Sequence, residues 1–275
     1  MKLSLGFSPC PNDTFIFDAM LHGKIDTEGL EFEPFIADVE ELNQKAFKNE
    51  LHITKLSYHA FAHLVPFYQL LNSGSALGNN CGPLLISKRE ISSEEVKNCR
   101  VGIPGKYTTA NFLLSLAYPE IKEKVEMLFS DIEGALLKEE IDAGLIIHEN
   151  RFTYTEKGLK KIIDLGTFWE SKTGMPIPLG GIVVQRSLPK DSIQKINRVL
   201  QKSVRFALDN PEESKFYVRQ YAQEMDEDVM YQHINLYVNE YTWDLGESGK
   251  KAVQHLFEMA EELKIIPKIK EEIFI

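Results

Sequence analysis

Gly82-Pro83-Leu84-Leu85-Ile86-Ser87 and Gly180-Gly181-Ile182-Val183-Val184-Gln185 read as the same kind of segment twice: glycine in front, an apolar run behind, and a basic residue, Lys88 or Arg186, at the end. Short apolar runs bounded by such signals are the pattern of strands buried on both faces. Between them lies a βα rhythm: Arg100 to Ile103, a helix after Thr108, Ala143 to Ile147, and Lys161 to Leu165. Ahead of them lies another: strand Leu3 to Phe7, a helix from about Asp13 to Leu21, strand Leu30 to Ile36, helix Val39 to Phe47, and a strand from Leu51 to Thr54 that runs into a helix carrying Tyr58 and Phe61. This alternation predicts an α/β fold in which each lobe is a parallel, doubly wound sheet. The middle reads as a lobe inserted into the first, with the glycine-led strands as crossovers. Residues 1–88 and 182–275 then form a discontinuous lobe 1, residues 89–181 form lobe 2, and a substrate cleft lies between them. Two crossings allow a hinge.

The last third is helical. Ile193, Ile196, Leu200 and Ala207 share one helical stripe that ends at Asn210-Pro211, and Val253, Leu256, Phe257, Ala260 and Leu263 repeat the spacing. Both stripes are expected to pack on lobe 1.

Composition excludes classes rather than naming a function. With 275 residues, 43% hydrophobic and 26% charged, the chain is an ordinary globular one. Its net charge of −10 argues against nucleic-acid binding and against a basic membrane-surface protein. No apolar run reaches the ~18 residues of a membrane span, and the N-terminus has no secretory pattern. Three scattered cysteines, Cys10, Cys81 and Cys99, give no disulfide framework. A cytoplasmic location is expected. There is no GxGxxG, no GxxxxGK[ST] and no GxSxG, and no histidine completes the zinc-protease spacing after His148-Glu149. His59 and His63, four apart on a predicted helix, could share a metal but lack a third ligand, so packing is the preferred reading and no metal is expected.

Four segments fall where ligands gather in such sheets, at the carboxyl ends of strands. Ser8-Pro9-Cys10-Pro11-Asn12-Asp13-Thr14-Phe15 follows the first strand; its plain reading is a turn capped by Asn12 or Asp13, with Cys10 packed rather than in contact with substrate. Thr54-Lys55-Leu56-Ser57-Tyr58 places Ser57 as an N-cap beside Lys55, and Gly105-Lys106-Tyr107-Thr108-Thr109-Ala110 opens another helix. Such helix starts cap themselves or hold an anion; two of them on opposite lobes would clamp a small anionic substrate in a locally positive cleft. In Gly144-Leu145-Ile146-Ile147-His148-Glu149-Asn150-Arg151-Phe152 an apolar strand stops at a histidine. His148 is either a structural residue at a strand end or a general base, for which an imidazole suits neutral pH.

Taken in order, SPCPNDTF, TKLSY, the Thr108-Thr109 pair, GLIIHENRFTY and PLGGIVV closely resemble the 1,4-dihydroxy-6-naphthoate synthases of menaquinone biosynthesis, from Leu5 to the C-terminal helices. The resemblance implies the type II periplasmic-binding-protein-like fold. It also implies a lyase of the futalosine pathway that converts cyclic dehypoxanthine futalosine to 1,4-dihydroxy-6-naphthoate with release of dihydroxyacetone, with no cofactor. It assigns the base to His148 and substrate contacts to Lys55, Leu56, Ser57, Thr109 and Ala110, with Thr108 adjacent. Two alternatives share the fold: a solute-binding protein without chemistry, and the related chorismate dehydratase. Oligomeric state is not legible in the sequence.

Overall fold

The computed structural model describes residues 1–222 and 226–275. The chain begins β1 (Lys2–Phe7), α1 (Pro11–Leu21), β2 (Glu31–Ile36), α2 (Val39–Phe47), β3 (Ile53–Ser57), α3 (Tyr58–Leu64), β4 (Tyr68–Leu70) and β5 (Ala76–Gly78). It continues with β6 (Leu84–Ser87), β7 (Arg100–Ile103), α4 (Thr109–Ala117), β8 (Glu123–Glu126), α5 (Ile132–Leu137), β9 (Ala143–Ile146), α6 (Asn150–Thr153), β10 (Lys160–Asp164) and α7 (Leu165–Thr173). The strand β11 (Ile177–Gln185) leads to α8 (Lys190–Asp209), α9 (Lys215–Tyr221), α10 (Glu227–Tyr237), α11 (Glu240–Trp243) and α12 (Gly246–Glu262). None of the described helices is long and apolar enough to cross a membrane.

Two compact units result: Met1–Gly78 together with Pro178–Ile275, and Asn79–Ile177. The divisions fall earlier than the expected 88/89 and 181/182, and hydrogen bonding explains why. β6, expected in the first lobe, pairs antiparallel with β9 and β10. The two glycine-led strands therefore belong to different sheets, β11 to that of the first unit and β6 to that of the second.

In the first unit the sheet order among the described residues is β2-β1-β3-β11-β4, with β5 on β11. β1 runs parallel to β2 and β3, but β11 runs antiparallel to β3 and β4, so the sheet is mixed rather than wholly parallel. A strand that returns after a whole intervening unit is not bound to the parallel sense that a single crossover helix imposes. Its glycines let it return closely: a Cβ on Gly180 would meet the Leu56 carbonyl oxygen at 2.7 Å, and one on Gly181 would meet Leu70 Cδ1 at 2.6 Å.

The core of this unit is the apolar face of β1 (Leu3, Leu5, Phe7) with Phe15 and Phe17 of α1, closed by Ile193, Ile196, Leu200, Val204 and Ala207 of α8. One buried hydroxyl fixes the α1–α8 contact: Ser203 Oγ donates to the Ile16 carbonyl at 2.6 Å and accepts from Met20 N at 3.2 Å. On α12, Val253, Leu256, Phe257 and Ala260 are buried, and Phe257 packs edge-on against Tyr58 and Phe61 of α3. Leu263, expected in that stripe, lies just past the helix and is exposed.

In the second unit the order is β10-β6-β9-β7-β8, with β7 parallel to β8 and β9. Leu84 and Ile86 of β6 and Ile146 of β9 meet Ile132 and Leu136 of α5 in its core. Gly82 and Gly166 bring two backbones into contact, and Leu165 N donates to the Pro83 carbonyl at 2.9 Å beside them. A Cβ on Gly82 would lie 2.1 Å from Gly166 N and 2.3 Å from Gly166 Cα, where no rotamer change relieves the clash. Gly82→Ala is therefore expected to destabilise the protein by roughly 3 kcal/mol or more in urea unfolding. An unchanged unfolding midpoint would show that the two backbones separate freely.

Candidate active site

Ser8 to Asp13 sits at the C-terminal end of β1. Of the two expected caps, Asp13 takes a backbone N–H, that of Ser8, from within the helix rather than ahead of it. Pro11 opens α1 at the position that suits proline, Cys10 is the N-cap without a side-chain cap, and Asn12 and Asp13 already lie in the first turn. Cys10 is buried, and its carbonyl accepts from Asp13 N, Thr14 N and Thr14 Oγ1. Asp13 is fully buried and turns to other donors. It accepts from Ser8 N (3.1 Å), Ser8 Oγ (2.7 Å), Asn12 Nδ2 (2.8 Å) and Lys55 Nζ (2.6 Å). A carboxylate out of water is tolerated only when paired and hydrogen-bonded in this way. Asn12 Oδ1 in turn lies 2.9 Å from Nε2 of His233, a fully buried residue of α10.

Lys55 is 6% exposed and its ammonium is bound to Asp13. Leu56 is buried in the same strand. Ser57 stands at the N-cap position of α3, yet its hydroxyl makes no capping bond. Asn43 of α2 claims it instead: Ser57 N donates to Asn43 Oδ1 at 3.1 Å, and Asn43 Nδ2 donates to Ser57 Oγ at 3.3 Å. On α3, His59 is buried and its ring centroid is 5.5 Å from that of His63, which also faces Phe47 at 6.2 Å.

In the second unit Thr108 is the N-cap of α4, as its position predicts. Its Oγ1 accepts from Asn111 N at 3.2 Å and donates to the Gly105 carbonyl at 2.9 Å. Gly105 has φ +135°, which only glycine adopts readily, and it makes the sharp entry to the helix. Thr109 and Ala110 follow in the first turn, both buried. Asn111 Nδ2 holds the Lys106 carbonyl at 2.8 Å, and Lys124 Nζ reaches Asn111 Oδ1 at 2.9 Å and Ser115 Oγ at 2.6 Å. Burial among such neutral partners lowers the Lys124 pKa.

β9 ends at Ile146, one residue before the expected stop. His148 lies in the following turn with φ +60°, and its ring meets Phe129 edge-on at 4.8 Å between centroids. A non-glycine residue in the left-handed region costs of order 1 kcal/mol and persists only where neighbours hold it. The residues after it supply those holds. Asn150 Nδ2 donates to Glu133 Oε2 at 2.6 Å, and the Arg151 guanidinium donates to the carbonyls of Gly82 and Asn80 and to Asp164 Oδ2.

Four strand ends thus carry the candidate residues, those of β1 and β3 in one unit and of β7 and β9 in the other. A family model described as menaquinone biosynthesis matches residues 3–262, which include all of them. The chain is 45% identical over 259 residues to a protein named 1,4-dihydroxy-6-naphtoate synthase from Thermus thermophilus, covering 94% of each. It is 40% identical over 270 residues to the protein of the same name from Streptomyces coelicolor, covering 96% of this chain and 95% of that one. The chain belongs to the menaquinone biosynthesis family. It is the family that the motifs resemble, and its members are enzymes of that pathway. A crystal structure of an Archaeoglobus fulgidus protein matches with a TM-score of 0.92 at 40% identity, covering 96% of this chain and 98% of that one. The alkanesulfonate-binding protein SsuA of Xanthomonas axonopodis matches with a TM-score of 0.73 at 12% identity, covering 97% of this chain and 94% of that one. At that identity the likeness is one of fold, the periplasmic-binding-protein fold that the sequence suggests.

Sequence reasoning missed Asn43, His233, Glu133 and Asp164. Asn43, His233 and Glu133 act through partners distant in the chain, Ser57, Asn12 and Asn150, whereas Asp164 also caps α7 through Gly166 N and Thr167 N, a local signal. For the pair that sequence reading took apart, Lys55→Met is expected to cost about 3–5 kcal/mol in unfolding experiments, because it strands the Asp13 carboxylate. Asp13→Asn combined with Lys55→Met should cost less than the two single changes added together; strict additivity would show that the pair is not coupled.

Proposed function

We propose that this chain converts cyclic dehypoxanthine futalosine to 1,4-dihydroxy-6-naphthoate with release of dihydroxyacetone, and that His148 is the general base. The observation that carries the activity is the 45% identity, spread over 94% of both chains, to a protein named for it. For the base, support comes from a histidine in a left-handed turn at the end of a strand, held by bonds that its neighbours make.

In this reading His148 takes a proton from the cyclic substrate, the ring system opens, and the sugar-derived fragment leaves as the three-carbon dihydroxy ketone. The naphthalene ring that forms supplies driving force, so the protein mainly has to place a base, hold an oxygen and exclude water. Ser57, oriented by Asn43, and the Thr108-Thr109-Ala110 start of α4 are the proposed substrate contacts, with Leu56 beside them. Lys55 is proposed as a contact with them, and its ammonium also holds Asp13. We place the reaction in the cytoplasm, in keeping with three buried cysteines scattered along the chain, and expect no nucleic-acid partner for so acidic a protein.

Relatives at 40–45% identity favour this over simple solute capture, which rests on fold likeness alone. The test is direct. Chelator-treated protein is incubated with cyclic dehypoxanthine futalosine, or with chorismate, and products are followed by liquid chromatography and mass spectrometry. The naphthoate is expected from the first and nothing from the second; turnover of chorismate alone would make this the sister dehydratase. His148→Ala should lower kcat by about 10²–10⁴-fold without unfolding the protein, and wild-type turnover in that variant would remove the base assignment. Ser57→Ala should raise KM more than it lowers kcat, the mark of a binding contact; a fall confined to kcat would instead give Ser57 a role in the transition state.

A further inference from the structure

The turn that carries His148 is fastened at a point three residues downstream. Arg151 has a side chain only 14% exposed, and its guanidinium meets acceptors from two other segments. It donates to the carbonyls of Asn80 (2.9 Å) and Gly82 on the approach to β6, and to Asp164 Oδ2 (3.2 Å) at the end of β10. Asp164 is itself fixed, because its Oδ1 caps α7 by accepting from Gly166 N (2.9 Å) and Thr167 N (3.2 Å). Gly166 is the residue whose backbone touches Gly82, so the guanidinium spans a point where the structure has no room to move. The Arg151 main chain also closes the turn, its N–H donating to the His148 carbonyl at 3.4 Å.

We infer that Arg151 is the positioning residue for His148: it anchors the turn to the Gly82–Gly166 crossing and so holds the imidazole in its left-handed backbone position. This rests on the reading of His148 as the base. The chemistry fits arginine alone. A planar fork with five N–H donors can serve two carbonyls and a carboxylate at fixed angles, whereas a lysine ammonium is a single point that cannot reach all three. A strained backbone needs such over-determination, and a base displaced by about 1 Å can lose ~10²-fold in rate.

Arg151→Lys in the full chain is the test, with Asp164→Asn as a second variant that keeps an oxygen to cap α7 while removing the ion pair. Turnover of cyclic dehypoxanthine futalosine and the ring ¹⁵N resonances of the histidines are measured on the same samples. The His148 resonance is assigned by its loss in His148→Ala. The expected result in whichever variant folds is a fall in kcat of about 10–10²-fold with KM nearly unchanged, and a shift of the His148 resonance while the other six histidines stay in place. Unchanged kcat, an unmoved His148 signal, or a general movement of all seven signals would overturn the inference, the last by making Arg151 a scaffold residue only. Wild-type turnover by His148→Ala would instead overturn the base assignment itself, and that arm does not involve Arg151.

Discussion

The first unit is organised around a charge that has no water. Taking a carboxylate the size of Asp13 out of solvent costs several kcal/mol even after relaxation, and only pairing together with hydrogen bonds offsets it. The donors come from the end of β1, from the first turn of α1 and from β3. They converge because β1 and β3 are parallel neighbours, with Gly6 opposite Thr54, which places the loop after one strand beside Lys55 on the other. Asn12 carries the link onward to His233 and so ties a C-terminal helix to the same strand end. The Ser8–Asp13 loop and the start of the 55–57 segment behave as one piece.

The second unit is fastened in a different way. There two glycines let backbones cross at contact distance, and a guanidinium and an aspartate lock the crossing. Next to it Glu133, 4% exposed, accepts from Asn150 and from Lys157. His148 lies upstream of these fixed points, in a conformation that its own backbone does not favour. A turn in that conformation persists because its downstream side is held so heavily.

The pattern of the chain was a good guide wherever a local rule decided the outcome. Val39–Phe47 forms the helix that its sequence predicts, Arg100–Ile103 the strand, Thr108 the cap, and the α8 stripe packs on α1. It was a poor guide wherever two equally good local choices differed only in their distant partner. A glycine-led apolar strand fits either sheet, so the local pattern leaves open both the sheet that β6 joins and the direction of β11. Ser57 looked like a capping serine because its neighbours in sequence say so, while its actual partner, Asn43, approaches from another helix.

Periodicity, turn chemistry and long motifs are enough to give the α/β class, most of the elements, the strand ends where polar residues gather, and the family. These depend on neighbours within a few positions, or on runs of residues too specific to recur by chance. Long-range packing sets where the chain divides, that Lys55 pairs with Asp13, that His148 sits at positive φ, and that Arg151 grips the segment before β6. Each of these depends on which groups meet once water is excluded, and a buried polar group takes the partner that geometry brings to it, however far away in the chain that partner lies.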